Sequence, residues 1–230
     1  MLTISASGEK GRIKIIKGGP YVVTGSIPLS GKRIVPVGKH NEYHAVRDYP
    51  LQEEYALCRC GHSKNMPFCD GCHEKAGFVG NETASRMDYS DRAERIEGPE
   101  LTLLDDSRCA FARLCHREEG KVWNLIEKSH DPDLRNEAIR GAQECPAGRL
   151  VILDKEGNEM EPVFEQAIEV LEDSSNHVLG PLFVKGKIPL ESSDGTCYEL
   201  RNRMALCRCG KSIRKPFCDA AHVNSHLANI

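Results

Sequence analysis

Cys58-Arg59-Cys60-Gly61-His62-Ser63-Lys64-Asn65-Met66-Pro67-Phe68-Cys69-Asp70-Gly71-Cys72-His73 sets three cysteines and a histidine in the spacing C-x-C-x8-C-x3-H. The spacing returns near the other end of the chain as Cys207, Cys209, Cys218 and His222. Two copies of a four-donor pattern mark two metal sites. Three thiolates and an imidazole are soft donors that suit zinc or an iron–sulfur cluster. Zinc knuckles are usually built from cysteines separated by two to four residues. The tighter C-x-C pair more naturally holds one iron of a two-iron cluster. Cys69 and His73, like Cys218 and His222, are four apart, about one helical turn, so both side chains share a face and can hold the second iron. Asp70 and Asp219 follow the third cysteine, where a short carboxylate can cap a first turn. Pro67 and Pro216 stiffen the approach to it. The alternative reading is a pair of small zinc ribbons.

Around these sites the chain is ordinary globular protein. It has 230 residues, 40% hydrophobic and 28% charged, which allows one or two domains with a real core. A net charge of −3 gives no field that would recruit nucleic acid or a membrane surface. Eleven cysteines, an odd number without a secretory leader, point to a reducing, cytoplasmic setting and metal binding, not a disulfide scaffold. No apolar run approaches the ~20 residues of a membrane helix.

Residues 11–16 and 20–26 read as short β-branched strands joined by a turn at Gly18-Gly19-Pro20. A further short strand is expected near 33–37, and the polar stretch 40–54 reads as a loop leading into the first metal motif. Gly19-Pro20 through Ile27-Pro28-Leu29 is repeated as Gly180-Pro181 through Ile188-Pro189-Leu190. The second copy spans about 176–226 and is shorter between its strands and its metal motif. Residues 80–100 read as a linker with some helix. Strands are expected at 101–104 and 149–153, the latter ending at a Lys155-Glu156-Gly157-Asn158 turn. Helices are expected at 132–143 and 162–173. Trp123 beside Val122, Leu125 and Ile126 reads as core.

The two metal motifs resemble the CDGSH iron–sulfur domain family, whose pattern is C-x-C-x2-S/T-x3-P-x-C-D-G-S-H. The first copy matches at Cys58, Cys60, Ser63, Pro67, Cys69, Asp70, Gly71 and His73, and departs at Cys72, where the family usually has Ser. The second matches at Cys207, Cys209, Ser212, Pro216, Cys218, Asp219 and His222, and departs at Ala220 and Ala221. The resemblance implies a 2Fe-2S cluster with three Cys ligands and one His in each copy. Family members also pair as dimers, so the chain is expected to fold as a monomeric pseudo-dimer or to form a homodimer.

A third constellation lies between the copies. Cys109-Ala110-Phe111-Ala112-Arg113-Leu114-Cys115 is followed by Cys145-Pro146. A ferredoxin loop reads C-x2-C-x2-C with a remote C-P. Here the donors are Cys109, Cys115 and Cys145, and Ala112 occupies the remaining position without a donor atom. Three thiolates imply a 3Fe-4S cluster; a 4Fe-4S cluster needs water or another side chain such as His116. The segment, about 101–153, resembles divergent mono-cluster ferredoxins. The alternative is a small α/β domain with buried, metal-free cysteines. Cys72 and Cys197 have no partner in any pattern, and His62, replaced by Lys211 in the repeat, reads as a surface residue. Arg59 and Arg208 sit between ligand cysteines, where they could steer an acidic partner or hydrogen-bond a sulfide.

The expected fold is α+β: a CDGSH-type module at 1–79, a linker at 80–100, a ferredoxin-like α/β domain at 101–175 and a second CDGSH-type module at 176–230. The expected function is one-electron transfer with a protein redox partner. Replacing a thiolate by neutral imidazole raises a cluster's potential, as in Rieske centres. A ligating His73 or His222 can also couple electron gain to proton uptake at its other nitrogen. Handing clusters to apo-protein acceptors and redox sensing are the alternatives. No dinucleotide fingerprint or nucleophile–base signature is visible, so an enzyme with its own substrate is not expected.

Overall fold

A computed structural model describes residues 11–224. The first ten residues of the expected N-terminal module and the last six of the C-terminal one lie outside the described residues. Alternation starts the fold. β1 (Arg12–Ile15) and β2 (Tyr21–Thr24) send Ile13, Ile15, Tyr21 and Val23 to one face and polar or partly exposed residues to the other. They pair antiparallel, with Ile15 opposite Tyr21. β5 (Glu54–Leu57) joins the free edge of β2, with Leu57 opposite Tyr21, and delivers the chain directly to Cys58.

The second copy repeats this arrangement. β11 (Ala167–Asp173) and β12 (Val178–Lys185) form the equivalent hairpin, and β14 (Arg203–Leu206) delivers the chain to Cys207. The copies then exchange strands. β13 (Leu190–Glu191) of the second copy runs parallel to β1, with Leu190 beside Ile13. β3 (Leu29–Val37) of the first runs parallel to β11, with Leu29 beside Ile168. Leu29 and Leu190 are equivalent positions of the repeat, so the exchange is reciprocal. Two sheets result, ordered β13-β1-β2-β5 and β14-β12-β11-β3-β4, where β4 is His40–Asp48. Their facing sides bury one core, in which Ile13, Ile15, Tyr21 and Leu57 from the first copy meet Ile168, Leu182, Ile188 and Leu206 from the second. The two copies therefore pair with each other within one chain.

Three expectations give way. Residues 40–54 are not a loop: β4 (His40–Asp48) pairs with β3 along its length, across a turn at Gly38 with φ +59°. β4 is polar because it is an edge strand, with Asn41 its only buried residue. The helix expected at 162–173 is replaced by β11. Its apolar residues fall at helical intervals, but β11 is central and buried on both faces. Its two glutamates are matched from adjacent strands: Glu169 lies 3.0 Å from Lys32 and also meets Lys185, and Glu172 lies 2.8 Å from Arg33. Residues 80–100 are more than a linker with some helix. One turn, α1 (Tyr89–Arg92), is followed by β6 (Glu94–Glu97), which pairs with β7 (Thr102–Asp105).

The middle segment adds a three-stranded sheet, β10-β7-β6, with β10 at Leu150–Leu153. After the short hairpin β8 (His116–Arg117) and β9 (Gly120–Lys121) come α2 (Val122–Ile126) and α3 (Pro132–Gln143). The Asp131 carboxylate caps α3, accepting N–H bonds from Asp133 and Leu134 at 2.9 and 3.3 Å, and Pro132 opens the helix as the sequence indicates. Leu103, Val122, Leu125, Ala138 and Ile152 form a separate core here. No helix among the described residues is long and apolar enough to cross a membrane.

Candidate metal centres

Both C-x-C loops are fastened by the same hydrogen bonds. The Cys58 N–H donates to the Pro67 carbonyl and the Cys69 N–H to Ala56; Cys207 donates to Pro216 and Cys218 to Ala205. Ser63 Oγ donates to the Phe68 carbonyl at 2.6 Å, and Ser212 Oγ to Phe217 at 2.7 Å. Asp70 accepts the backbone N–H of Lys64 at 2.8 Å and of Cys72 at 3.1 Å. Asp219 does the same for Ile213 and Ala221 at the same distances. The aspartates thus close a loop instead of capping a regular helix. Arg59 and Arg208, read from sequence as partner-steering or sulfide-bonding residues, are almost fully buried. Each donates from Nε to the equivalent glycine carbonyl, Gly19 at 2.9 Å and Gly180 at 2.8 Å. They tie each metal loop to its own hairpin.

The donor atoms meet in pairs. Cys58 and Cys60 Sγ lie 3.6 Å apart, as do Cys207 and Cys209. Cys69 Sγ lies 3.5 Å from His73 Nδ1, and Cys218 Sγ 3.4 Å from His222 Nδ1. Two thiolates on one tetrahedral metal at ~2.3 Å stand about 3.7 Å apart, and a thiolate and an imidazole nitrogen about 3.5 Å. Each pair therefore fits one metal ion. Among the described residues no three such side chains converge on a single ion position. Each loop thus presents two donor pairs, one at the C-x-C and one at the Cys–His end. Burial pushes the Cys218 thiol up and lowers His222 to about 4, so this imidazole is neutral near pH 7, the form that ligates a metal.

The two loops face each other across the pseudo-twofold axis. A methyl on Gly61 would lie 2.6 Å from the Cys209 carbonyl oxygen, and one on Gly210 2.5 Å from that of Cys60. Only glycine permits this approach, and both have φ in the left-handed region, +82° and +74°. Tyr21, from the first copy, donates its hydroxyl to the carbonyls of Cys207 at 2.8 Å and Pro216 at 3.0 Å in the second loop. The loops differ in cover: Cys69 and His73 are half-buried, whereas Cys218 and His222 are each 4% exposed.

The cover over Cys218 comes from the middle segment, whose Ala110 and Ala147 pack against it with Ala205. The loop from Cys109 to Cys115 curls through left-handed backbone at Phe111 (φ +58°) and Arg113 (φ +60°). Such residues cost about 1–2 kcal/mol each and persist where the surroundings fix them. Here Arg113 is bound to Asp173 at 3.0 Å, and Ala112 and Leu114 are sunk against Ile34, Leu171 and Phe183. The Phe111 N–H donates to Cys109 Sγ at 3.3 Å. Cys109, Cys115 and Cys145 are close enough to feel one another's charge. Burial first, and then the charges on Cys145 and Cys109, push Cys115 up to about 12; burial likewise raises Cys145. A cluster cation would have to offset that cost. The Ala112 methyl supplies no donor, and its carbonyl accepts a hydrogen bond from Asn41.

Arg203 was not singled out in the sequence, yet it sets the Cys145 end of this site. It is buried on β14 and donates from Nη1 to the carbonyls of Ala142, Gln143 and Cys145, each at 2.8 Å, and from Nη2 to Leu150 at 3.0 Å, while pairing with Glu161. An arginine at the head of the apolar run Met204-Ala205-Leu206 was the only available signal. Trp123, expected as core, is half-buried and donates Nε1 to Asp105 at 3.0 Å, which also pairs with Arg149. Cys197 is exposed. Cys72 does have a neighbour: its Sγ lies 3.8 Å from that of Cys60.

Residues 18–74 and 179–223 match the family described as iron-binding zinc finger, CDGSH type, and these spans contain all eight paired donors. Residues 96–155 match the divergent 4Fe-4S mono-cluster family and contain Cys109, Cys115 and Cys145. Comparison with curated proteins and with solved structures gave no match. By these matches the chain is an iron–sulfur protein in which two CDGSH-type segments flank a divergent mono-cluster segment.

Proposed function

We propose that this protein carries single electrons between protein partners. In this reading Cys58, Cys60, Cys69 and His73 hold one 2Fe-2S cluster, and Cys207, Cys209, Cys218 and His222 a second. Cys109, Cys115 and Cys145 hold a third centre in a ferredoxin-like middle segment, a 3Fe-4S cluster because Ala112 contributes no ligand. Such clusters supply one-electron redox chemistry near neutral pH. The protein's part is to place the centres and exclude water. Arg59 and Arg208 fix the loops on their hairpins, Gly61 and Gly210 let them touch, and Ala110 and Ala147 seal the second one.

The observation that carries this reading is contiguity. The first loop touches the second through Gly61 and Gly210, and the Cys109 loop packs on Cys218, whose thiol feels the Cys109 charge. A relay needs such an arrangement, and a storage protein does not. The test is partial reduction of the loaded protein followed by rapid-freeze EPR. Electrons redistributing among centres within one chain, independently of protein concentration, support the carrier.

The half-buried Cys69 and His73 favour a second reading, donation of the first cluster to an apo-protein. Stoichiometric appearance of that cluster in an added apo-ferredoxin, without electron redistribution, would establish donation in place of electron transfer.

A further inference from the structure

Cys72 is the one cysteine of the first loop that has no counterpart in the second. Its backbone N–H donates to Asp70 as that of Ala221 donates to Asp219, at the same 3.1 Å, so the backbone positions correspond. The second loop has a methyl there. The first has a half-buried thiol 3.8 Å from Cys60 Sγ. Disulfide formation brings two sulfurs to about 2.05 Å, so the gap is closed by a shift of under 2 Å, within reach of a side-chain rotation in a surface turn. Cys58 is as near to Cys60, but it is 1% exposed and fixed by its N–H bond to Pro67. Of the sulfurs near Cys60, Cys72 is the one that solvent reaches.

We propose that Cys60 and Cys72 form an oxidation site that closes the first metal loop, and only that loop, after its iron is lost. The oxidant is a small disulfide of the glutathione type. The Cys72 sulfur attacks it, a mixed disulfide forms, and one small thiol leaves. Cys60 then attacks the Cys72 sulfur and releases the second. The protein dithiol loses two electrons and two protons, and the small disulfide becomes two thiols. With Cys60 tied up, the first site cannot take iron until a thiol reductant reopens it. The second site, with Ala221, reloads freely.

The proposal rests on the first site being an iron site, so iron and sulfide are counted first on the full-length, anaerobically purified protein. A zinc-filled site would defeat that reading, whereas the thiol map below decides the disulfide by itself. The protein is stripped with a ferrous chelator, treated with oxidised glutathione, alkylated and digested with trypsin. The expected product joins peptide 60–64 to peptide 65–75 through Cys60 and Cys72. It should be absent before stripping and lost in Cys72→Ser. Reloading with iron and sulfide should restore only the second loop's 2Fe-2S signal until dithiothreitol is added, and both in Cys72→Ser. A Cys58–Cys60 link, or Cys72 recovered as a glutathione adduct with Cys60 alkylated, would overturn the proposal.

Discussion

Gly61→Ala tests the contact on which the paired arrangement of the two metal loops depends. Gly61 has φ +82°, and an added methyl would meet the Cys209 carbonyl oxygen at 2.6 Å and its carbon at 2.9 Å. Neither is a flexible side-chain end, so the loops must separate. Gly71, in the same loop, supplies the control: its φ is +80°, but nothing lies within 4 Å of its added methyl. Both substitutions carry the backbone cost of a left-handed alanine, about 1–2 kcal/mol. Gly61→Ala alone adds the cost of forcing atoms into a packed contact, about 1–3 kcal/mol. For a chain of this size a difference of about 2 kcal/mol corresponds to about 4–8 °C in Tm. Thermal unfolding of the loaded proteins, followed by circular dichroism at one scan rate, reads this difference. Gly61→Ala should melt below Gly71→Ala by that amount, and Gly210→Ala, whose methyl would meet Cys60, should behave like Gly61→Ala. Equal melting of Gly61→Ala and Gly71→Ala would refute the facing of the two loops.

Three further outcomes are expected. Arg203→Met leaves four backbone carbonyls without their donor and half-buried Glu161 with Asn202 alone, which costs about 1–3 kcal/mol; the middle centre should be depleted of iron while the CDGSH-type centres remain, and full occupancy would contradict the positioning role. Tyr21→Phe removes the buried hydroxyl proton shared by the Cys207 and Pro216 carbonyls, about 1–3 kcal/mol; the second centre's visible absorbance should decay faster while the first centre's rate stays unchanged. The third concerns acid. Burial would raise the Asp105 carboxyl, but Arg149, the Ser107 N–H and Trp123 outweigh it and hold it below the ordinary value. Its pairing therefore stabilises the fold above the unfolded pKa of about 3.9 and is lost as pH falls through the lower folded value. Urea midpoints from about pH 5 downward should fall less steeply in Asp105→Asn than in the parent, and identical slopes would count against the assignment.

Local chemistry was legible in the sequence where it is short-range. The two C-x-C-x8-C-x3-H patterns, the strands at 12–15 and 21–24 and the Asp131-capped helix at 132–143 all depend on neighbours within a turn or two. β11 was not legible, because its acidic residues look solvated until Lys32, Arg33 and Lys185 arrive from adjacent strands. β4 was missed for the converse reason, since an edge strand carries a polar face that reads as loop. The repeat of Ile27-Pro28-Leu29 announced a duplication but not the exchange of β3 and β13, which is settled by a parallel register about 140–180 residues apart along the chain. The site residues divide the same way. Ligand spacing is local, whereas Arg203, Tyr21 and the contact of Cys72 with Cys60 act through space, and of these only Arg203, at the head of an apolar run, leaves a trace in its flanking sequence.

The measurement that bears most directly on the central claim is EPR of anaerobically purified protein, as isolated and after dithionite, with iron and sulfide counts. Three centres predict about seven irons per chain, from two 2Fe-2S clusters and one 3Fe-4S cluster. The 3Fe-4S signal should appear in the oxidised sample and rhombic 2Fe-2S signals after reduction. Zinc in place of iron, with no sulfide, would contradict the account.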